Sequence, residues 1–382
     1  MRNQRRYGYL ALLVSSILVL AACQSGPQTI DVGKGLCRTT EGQTPPSEAP
    51  PEATGTSELL MGVVTDVGTL DDRNFNQYSW EGAQHGAATI GAADPEAIIT
   101  ADESEYQPNI QSFIDQNYDI IVTVGFALGA ATLEAAEANP DVHFIGVDQF
   151  QANDPVGNYE SLIYSEAQAG YLAGIVAGSI SESGEIATLG GANFIPPVVN
   201  YMRGFQNGVA SVNADATVHI KYVTDSDLSL AFNDPAAGKS FADQFLAQNP
   251  DVDLLFQVAG KTGNGMLQSV REAGIYGFGV DVDQWASLPE EAVCIVTSAE
   301  KKLKRSVSEA IQAFAAGEER DSNQFLGAAE DMVGLAPYYQ FSDLITSDIQ
   351  GAVDDAFAAM ADGSLDPCAP NACYTGEPDP GT

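Results

Sequence analysis

The stretch Leu59-Leu-Met-Gly-Val-Val-Thr65, followed by Asp66-Val-Gly-Thr-Leu-Asp-Asp-Arg-Asn-Phe-Asn-Gln-Tyr-Ser-Trp-Glu-Gly82, sets the pattern of the whole body. A short apolar run, rich in β-branched residues, ends abruptly in a polar loop and then passes into a helical period. That succession reads as strand, loop, helix. It recurs down the chain. Strands are expected at 59–65, 97–100, 120–124, 143–147 and 162–164, then at 185–189, 217–223, 254–258 and 276–280. Helices are expected between them at 79–90, 106–116, 128–139, 167–181, 199–212, 237–248 and 263–273. Strands alternating with helices at this spacing make parallel sheets covered on both faces. A body of about 310 residues exceeds one ordinary core. The expectation is therefore an α/β protein of two Rossmann-like lobes with a cleft between them.

Outward from that body, the chain begins with Arg2, Arg5 and Arg6 and an apolar run over 9–22 broken only by Ser15 and Ser16. A basic start, an apolar run too short for a comfortable membrane span, and small residues before a cut are the parts of a secretory signal. Leu20-Ala21-Ala22-Cys23 matches a bacterial lipobox, which makes Cys23 the expected lipidated first residue of the exported chain and places it outside the cytoplasm on a cell membrane. Residues 24–57 are rich in Gly, Pro, Ser, Thr and Glu, and read as a flexible tether. The expected division is signal peptide 1–22, lipidated start and tether 23–57, first lobe 58–163, second lobe 164–290, return segments 291–366 and tail 367–382.

Removing residues 1–22 takes three of the 16 basic residues and none of the 52 acids, leaving a formal charge of −39. Such a body repels nucleic acid, so DNA or RNA is excluded as a partner. Besides Cys23 there are Cys37, Cys294, Cys368 and Cys373, an even number that suits disulfides in an exported chain. Cys368 and Cys373 flank a turn-like Ala-Pro-Asn-Ala, which leaves Cys37 for Cys294. With three histidines and neither CxxC nor HxxH, no metal is expected, and no cofactor.

In open parallel sheets, ligands sit beyond the carboxyl ends of the strands. The residues there are Asp66, Gly125-Phe126, Asp148-Gln149, Asn193-Phe194, Gly260-Lys261 and Asp281. A carboxylate after a strand is also a common helix cap. Asp148 is read as such a cap; Asp66 and Asp281 are read as cleft residues.

The segment 66–82 also resembles the opening motif of the basic membrane protein family, the purine-nucleoside-receptor type of substrate-binding lipoprotein. Later segments match the same family in order: Val124-Gly-Phe-Ala-Leu-Gly129, Gly190-Gly191 with Ile195-Pro-Pro-Val198 and Gly204-Phe205, Ala259-Gly-Lys-Thr-Gly263, Gly279-Val-Asp-Val-Asp-Gln284, and Thr297-Ser298 with Lys301. The resemblance implies a type I periplasmic-binding-protein fold, its lobes joined by a hinge. It implies a monomer that closes on a nucleoside and delivers it to the permease and ATPase subunits of an ABC importer. It also implies Phe75 as a ring stacked on the base, with Phe194 or Tyr201 opposing it. Asp281 and Lys301 match the pair that holds the ribose, beside the Gly260 backbone; Asp72 and Asn76 belong to the same opening motif. One departure stands out. Where relatives carry an acid for the base edge, this chain has Ala130. Either Asp72 or Asp71 takes over that contact, or the ligand is not a typical purine nucleoside.

Enzyme readings find no support. Leu255 stands where a Walker loop needs Gly, no G-x-S-x-G elbow occurs, and 281–283 lacks the rest of a calcium loop. A sensor lipoprotein that signals to a membrane partner, and a sugar receptor on the same fold, remain the alternatives to a transport receptor.

Overall fold

The computed structural model describes residues 27–46, 52–152 and 154–382. The expected signal peptide and the lipidation of Cys23 lie outside the described residues. The first five strands are β1 Met61–Thr65, β2 Glu96–Ile99, β3 Ile120–Val124, β4 His143–Val147 and β5 Tyr159–Tyr164. The next five are β6 Glu185–Ala192, β7 Thr217–Thr224, β8 Leu254–Val258, β9 Tyr276–Asp281 and β10 Ile295–Lys301, and two short ones follow, β11 Asn323–Leu326 and β12 Val333–Leu335. They form two six-stranded sheets, ordered β11-β5-β4-β3-β1-β2 and β12-β10-β9-β8-β6-β7. Every pairing is parallel except that of β10 with β12. Strands β1, β3 and β8 are buried at every position, which is why they read as nearly continuous apolar runs, interrupted only at Thr65, Thr123 and Gln257, and not as alternating ones.

The helices covering the sheets are α1 Phe75–Ile90, α2 Tyr106–Asp115, α3 Gly129–Ala138, α4 Glu166–Ile180, α5 Pro196–Val212 and α6 Leu228–Phe232. They continue as α7 Pro235–Gln248, α8 Gly260–Ala273, α9 Gln284–Ser287, α10 Leu303–Ala316 and α11 Ser347–Ala361. Helix α1 starts four residues before the periodicity suggests. The Asp72 carboxylate accepts from the backbone N–H groups of Asn74, Asn76 and Gln77, and so satisfies donors that a helix start leaves orphaned. Apolar periodicity carries no trace of that local bonding.

The chain crosses between the sheets at Ser165, at Lys302 and through residues 327–332. These crossings are laced together. The Ser165 N–H donates to Leu326 O at 3.0 Å and the Lys302 N–H to Met332 O at 2.9 Å. The Ala328 N–H donates to Gln168 Oε1 at 2.7 Å.

Part of the expected tether is not free. Residues 28–39 form a small bridged turn, Thr29 opposite Arg38, docked on the second lobe. Cys37 is bonded to Cys294, and the Lys34, Leu36 and Arg38 amides donate to Ala273, Gly274 and Val293. Buried Cys37 was the only signal of this docking in a stretch whose composition is otherwise that of a linker. At the other end, Cys368 is bonded to Cys373, and Asp379 is buried between Arg203 and Tyr222.

Helices α4 and α5 approach until their backbones touch. A Cβ on Gly174 would lie 2.2 Å from Phe205 O, and one on Gly208 would lie 2.0 Å from Tyr171 O. No rotamer change relieves a clash with backbone. Since α5 also carries Tyr201 towards the cleft, its seat on α4 sets part of the site. Gly208→Ala is expected to cost about 1–3 kcal/mol by overpacking, read as a lower midpoint in urea unfolding; an unchanged midpoint would show that the helices can separate freely.

Candidate ligand-binding cleft

Both sheets present their carboxyl ends to one cleft, and strand order reverses between β1 and β3 in the first and between β6 and β8 in the second. The cavity lies at these switch points. It encloses ≈ 760 Å³ of empty space counting its open mouth, and its lining includes Asp66, Asp72, Phe75, Asn76, Gly125, Phe126, Tyr201, Gly260, Asp281 and Lys301.

Asp66 follows β1 and spends one carboxylate oxygen on the Val67 N–H at 2.6 Å. It lies so close to Gly125 (φ +116°) that a Cβ there would sit 1.9 Å from the Asp66 Oδ2. Burial pushes the Asp66 carboxyl up to about 7. The loop from Asp66 to Asn74 is fixed from within by the Asn76 side-chain amide, which donates to Val67 O at 2.9 Å. It is fixed from across the cleft by Asn264 on Asp72 O, by Lys261 on the Thr69 hydroxyl and by the Ser287 hydroxyl on Arg73 O, all at 2.9 Å. The two lobes are therefore in contact over the cavity.

At its floor lies Lys301, the last residue of β10. Its Nζ is 2.6 Å from Asp148, 3.3 Å from Glu166 and 3.7 Å from Asp281. The rings of Phe75, Tyr164 and Tyr201 surround the ammonium at 5.3–5.4 Å from their centroids. Burial alone would push Lys301 down, but the three carboxylates outweigh it and hold the ammonium above its ordinary range. Burial also pushes Glu166 up to about 7 and Asp281 up to about 6, against the pull of Lys301. Asp148 and Asp281 both have positive φ, +60° and +64°. Such backbone is uncommon outside Gly and concentrates where function over-determines it.

Asp148, read from the sequence as a helix cap, instead bonds Lys301 across the lobes and lines the cavity. Although Lys301 opens the basic run Lys301-Lys-Leu-Lys-Arg305, it is no part of a solvated patch, since its side chain is 1% exposed. Phe194 does not line the cavity; it is half-buried and packs on the core, while Phe232 of α6 faces the space. Of the two acids offered for the base edge, Asp71 is exposed and outside the lining, and Asp72 is committed to three backbone amides. Tyr201 is buried, and its hydroxyl donates to Ala299 O at 3.3 Å. Glu166 and Phe232 were missed altogether. Glu166 looks like any acid at a helix start, and Phe232 lies in a stretch, 225–234, whose acids and Asn read as loop.

Two α/β lobes with a buried polar floor at their common switch point define the two-lobe periplasmic-binding-protein fold. The comparison with known proteins narrows that class. Residues 60–355 match the family model Bmp, described as ABC transporter substrate-binding protein PnrA-like, and the chain belongs to that family. Among its relatives, a CD4+ T-cell-stimulating antigen of Listeria innocua is 26% identical over 93% of this chain and 96% of its own length. The ABC transporter nucleoside-binding protein BmpA of Lactococcus lactis is 27% identical over 72% of each. Among solved structures, an ABC transporter solute-binding protein of Aeropyrum pernix superposes with a TM-score of 0.70 at 22% identity, covering 81% of this chain and 92% of that one. The protein is thus a substrate-binding protein of an ABC transporter, a class that works outside the cytoplasm with permease and ATPase subunits.

The raised carboxyls give the site a definite pH signature. In an unfolded chain these acids ionise near pH 4. The folded chain keeps protons on Asp66 and Glu166 up to about pH 7. Folding therefore takes up protons between about pH 4 and pH 7, and stability falls as pH rises through that window. The thermal midpoint is expected to increase from pH 8 to pH 6, and Asp66→Asn is expected to remove part of that increase. Identical slopes for the two proteins would show that Asp66 does not hold a proton near neutrality.

Proposed function

We propose that this protein binds a nucleoside between its lobes and hands it to its permease. The observation that carries the reading is the meeting, in one cavity, of the Phe75 ring with the Asp281–Lys301 ion pair. A nucleobase offers a flat, weakly hydrated face, for which an aromatic ring is the complement. A ribose offers vicinal hydroxyls, for which a carboxylate acceptor and an ammonium donor are the complement. Phe232, which lines the same cavity from the second lobe, takes the place of Phe194 as the ring across from Phe75 in this reading. Asp66, with one oxygen committed and its carboxyl able to hold a proton near neutrality, is the base-edge residue in this reading. It takes over where Ala130 leaves no acid. Asn76, Gly125, Phe126, Tyr201 and Gly260 complete the contacts. The relative named as a nucleoside-binding protein supports the same ligand class.

Closure follows from where the contacts lie. Phe75 and Asp66 belong to the first lobe, Asp281 and Lys301 to the second, so a bridging ligand makes all its contacts only when the lobes are together. Calorimetric titration of residues 24–382 is expected to show binding of a purine nucleoside and none of free ribose. Phe75→Ala is expected to weaken that binding roughly 10- to 100-fold, from a stacking contribution of about 1–3 kcal/mol. A heat signal from ribose or another sugar, with none from any nucleoside, would overturn the ligand assignment.

We also propose that Cys23 carries the lipid that holds the chain at the membrane, on the strength of the lipobox. Cys23→Ser is expected to move the protein from the membrane fraction to the soluble one, and its retention in membranes would argue for another anchor.

A further inference from the structure

Two of the sequence motifs described above end in residues that the cavity does not use. Gly263 closes the run from Ala259 and Gln284 the run from Gly279, and neither lines the cavity. Both serve one buried chain of side-chain amides. Gln257 Oε1 accepts from the Ala259 N–H at 3.0 Å, which leaves Gln257 Nε2 to donate to Gln284 Oε1. The same Gln284 oxygen accepts from the Val280 N–H at 3.1 Å, so Gln284 Nε2 is the donor to Asn264 Oδ1 at 3.0 Å. Asn264 Nδ2 is left as the donor at the far end, and it reaches across the cleft to Asp72 O at 2.9 Å. A backbone N–H only donates and a carbonyl only accepts, so the backbone at the two ends dictates the sense of every amide between them. Gln257 and Gln284 are fully buried. Gly263 makes room for them, since a Cβ there would lie 1.6 Å from Gln257 Oε1.

The carboxylate of Asp72 caps α1, and Phe75 and Asn76 open that helix. A bond from the second lobe to the Asp72 carbonyl therefore holds the ring and the amide that the first lobe brings to the cavity. Asn264 does this without lining the cavity itself. Its bond joins protein to protein, so it forms whenever the lobes meet, with or without ligand. It is also buried, whereas the bond from Ser287 to Arg73 O is exposed. Water competes less for a buried bond, and a donor held by a buried network is already aimed. We propose that Asn264 is a positioning residue for ligand binding: a latch that holds the loop from Asp66 to Asn74 in the closed pose, with its donor aimed by Gln257 and Gln284. The amides stay bonded to one another within the second lobe, and only the last bond, to Asp72, is made on closing. The latch raises the fraction of molecules in the binding-competent pose, and apparent affinity scales with that fraction.

This role depends on the two-lobe fold and not on the nucleoside reading, and its first test uses no ligand. Asn264→Asp keeps the acceptor for Gln284 but replaces the donor with a second acceptor, which repels the Asp72 carbonyl. In hydrogen-exchange mass spectrometry of the ligand-free full chain, the amides of the loop from Asp66 to Asn74 are expected to exchange roughly two- to tenfold faster in the variant than in the wild type, the range that one net hydrogen bond supplies. Those of β8 and β9 are expected to keep their wild-type rates. The excess is expected to shrink from about pH 7 to about pH 5, because burial raises the introduced carboxyl and its protonated form donates again. Asn264→Ala, which removes both bonds, folds without a buried charge and is expected to loosen the loop equally at both pH values. Wild-type loop exchange in both variants would overturn the latch. So would equal loosening of β8 and β9, which would make Asn264 a packing residue of its own lobe. With guanosine as the probe, Asn264→Asp is expected to raise the dissociation rate by the same factor and to leave association nearly unchanged. Absence of guanosine binding in the wild type would count against the nucleoside reading alone, and the exchange result would still decide the latch.

Discussion

The buried ammonium of Lys301 organises this molecule more than any other single group. Taking a lysine out of water is costly unless carboxylates and rings replace the water. Here the replacements come from every part of the structure that must be held together. Asp148 comes from the end of β4 in the first sheet, Asp281 from the end of β9 in the second, and Glu166 from the first turn of α4. Lys301 itself is one residue from the crossing at Lys302, and Glu166 is one residue from the crossing at Ser165. The ion cluster therefore sits on the joint between the lobes and forms the cavity floor at the same time. Phe75, Tyr164 and Tyr201 close over it, so the polar floor and the aromatic walls are fixed by one set of contacts.

Three negative groups around one positive group leave an excess of acid, and Asp66 adds to it. Burial resolves the excess by favouring the protonated carboxyls, which then donate as well as accept. A site of this kind can offer a ligand either hydrogen-bonding sense from the same side chain. Asp72 shows the opposite use of a buried acid. Its three backbone amides make it a structural cap that shapes the opening loop, although it lies in the lining.

The architecture was legible because strands covered on both faces leave nearly continuous apolar runs, such as 120–124 and 254–258 with one polar residue each, and because helices leave a different period between them. The ends of elements were less legible, since they depend on side chains bonding locally, as Asp72 does for α1. The chain beyond residue 291 was read only as return segments. Two of its strands, β11 and β12, are short and lie in different sheets, an arrangement that no local period encodes. In the site, position after a strand pointed to Asp66, Gly125, Phe126, Gly260 and Asp281, all of which line the cavity. The same rule misread Asp148, because a cap and an ion-pair partner look alike until the lysine 153 residues away is placed beside it. Phe232 was not offered at all, whereas Phe194 was, as the alternative to Tyr201. Phe194 follows β6 directly, whereas Phe232 reaches the cavity from a short helix that composition hides.

The three spans joining the lobes run side by side and are bonded to one another, Ser165 to Leu326, Lys302 to Met332 and Ala328 to Gln168. A single connecting strand would act as a swivel, free to twist as well as bend. A laced band of three behaves like a leaf spring, compliant about one axis and stiff to torsion and to sliding. In the proposed opening and closing, such a band would guide the lobes along a single arc and bring Asn264 back to the Asp72 carbonyl and Lys261 back to the Thr69 hydroxyl. Precision in the cleft is thus a mechanical property of the band behind it, supplied before any ligand arrives.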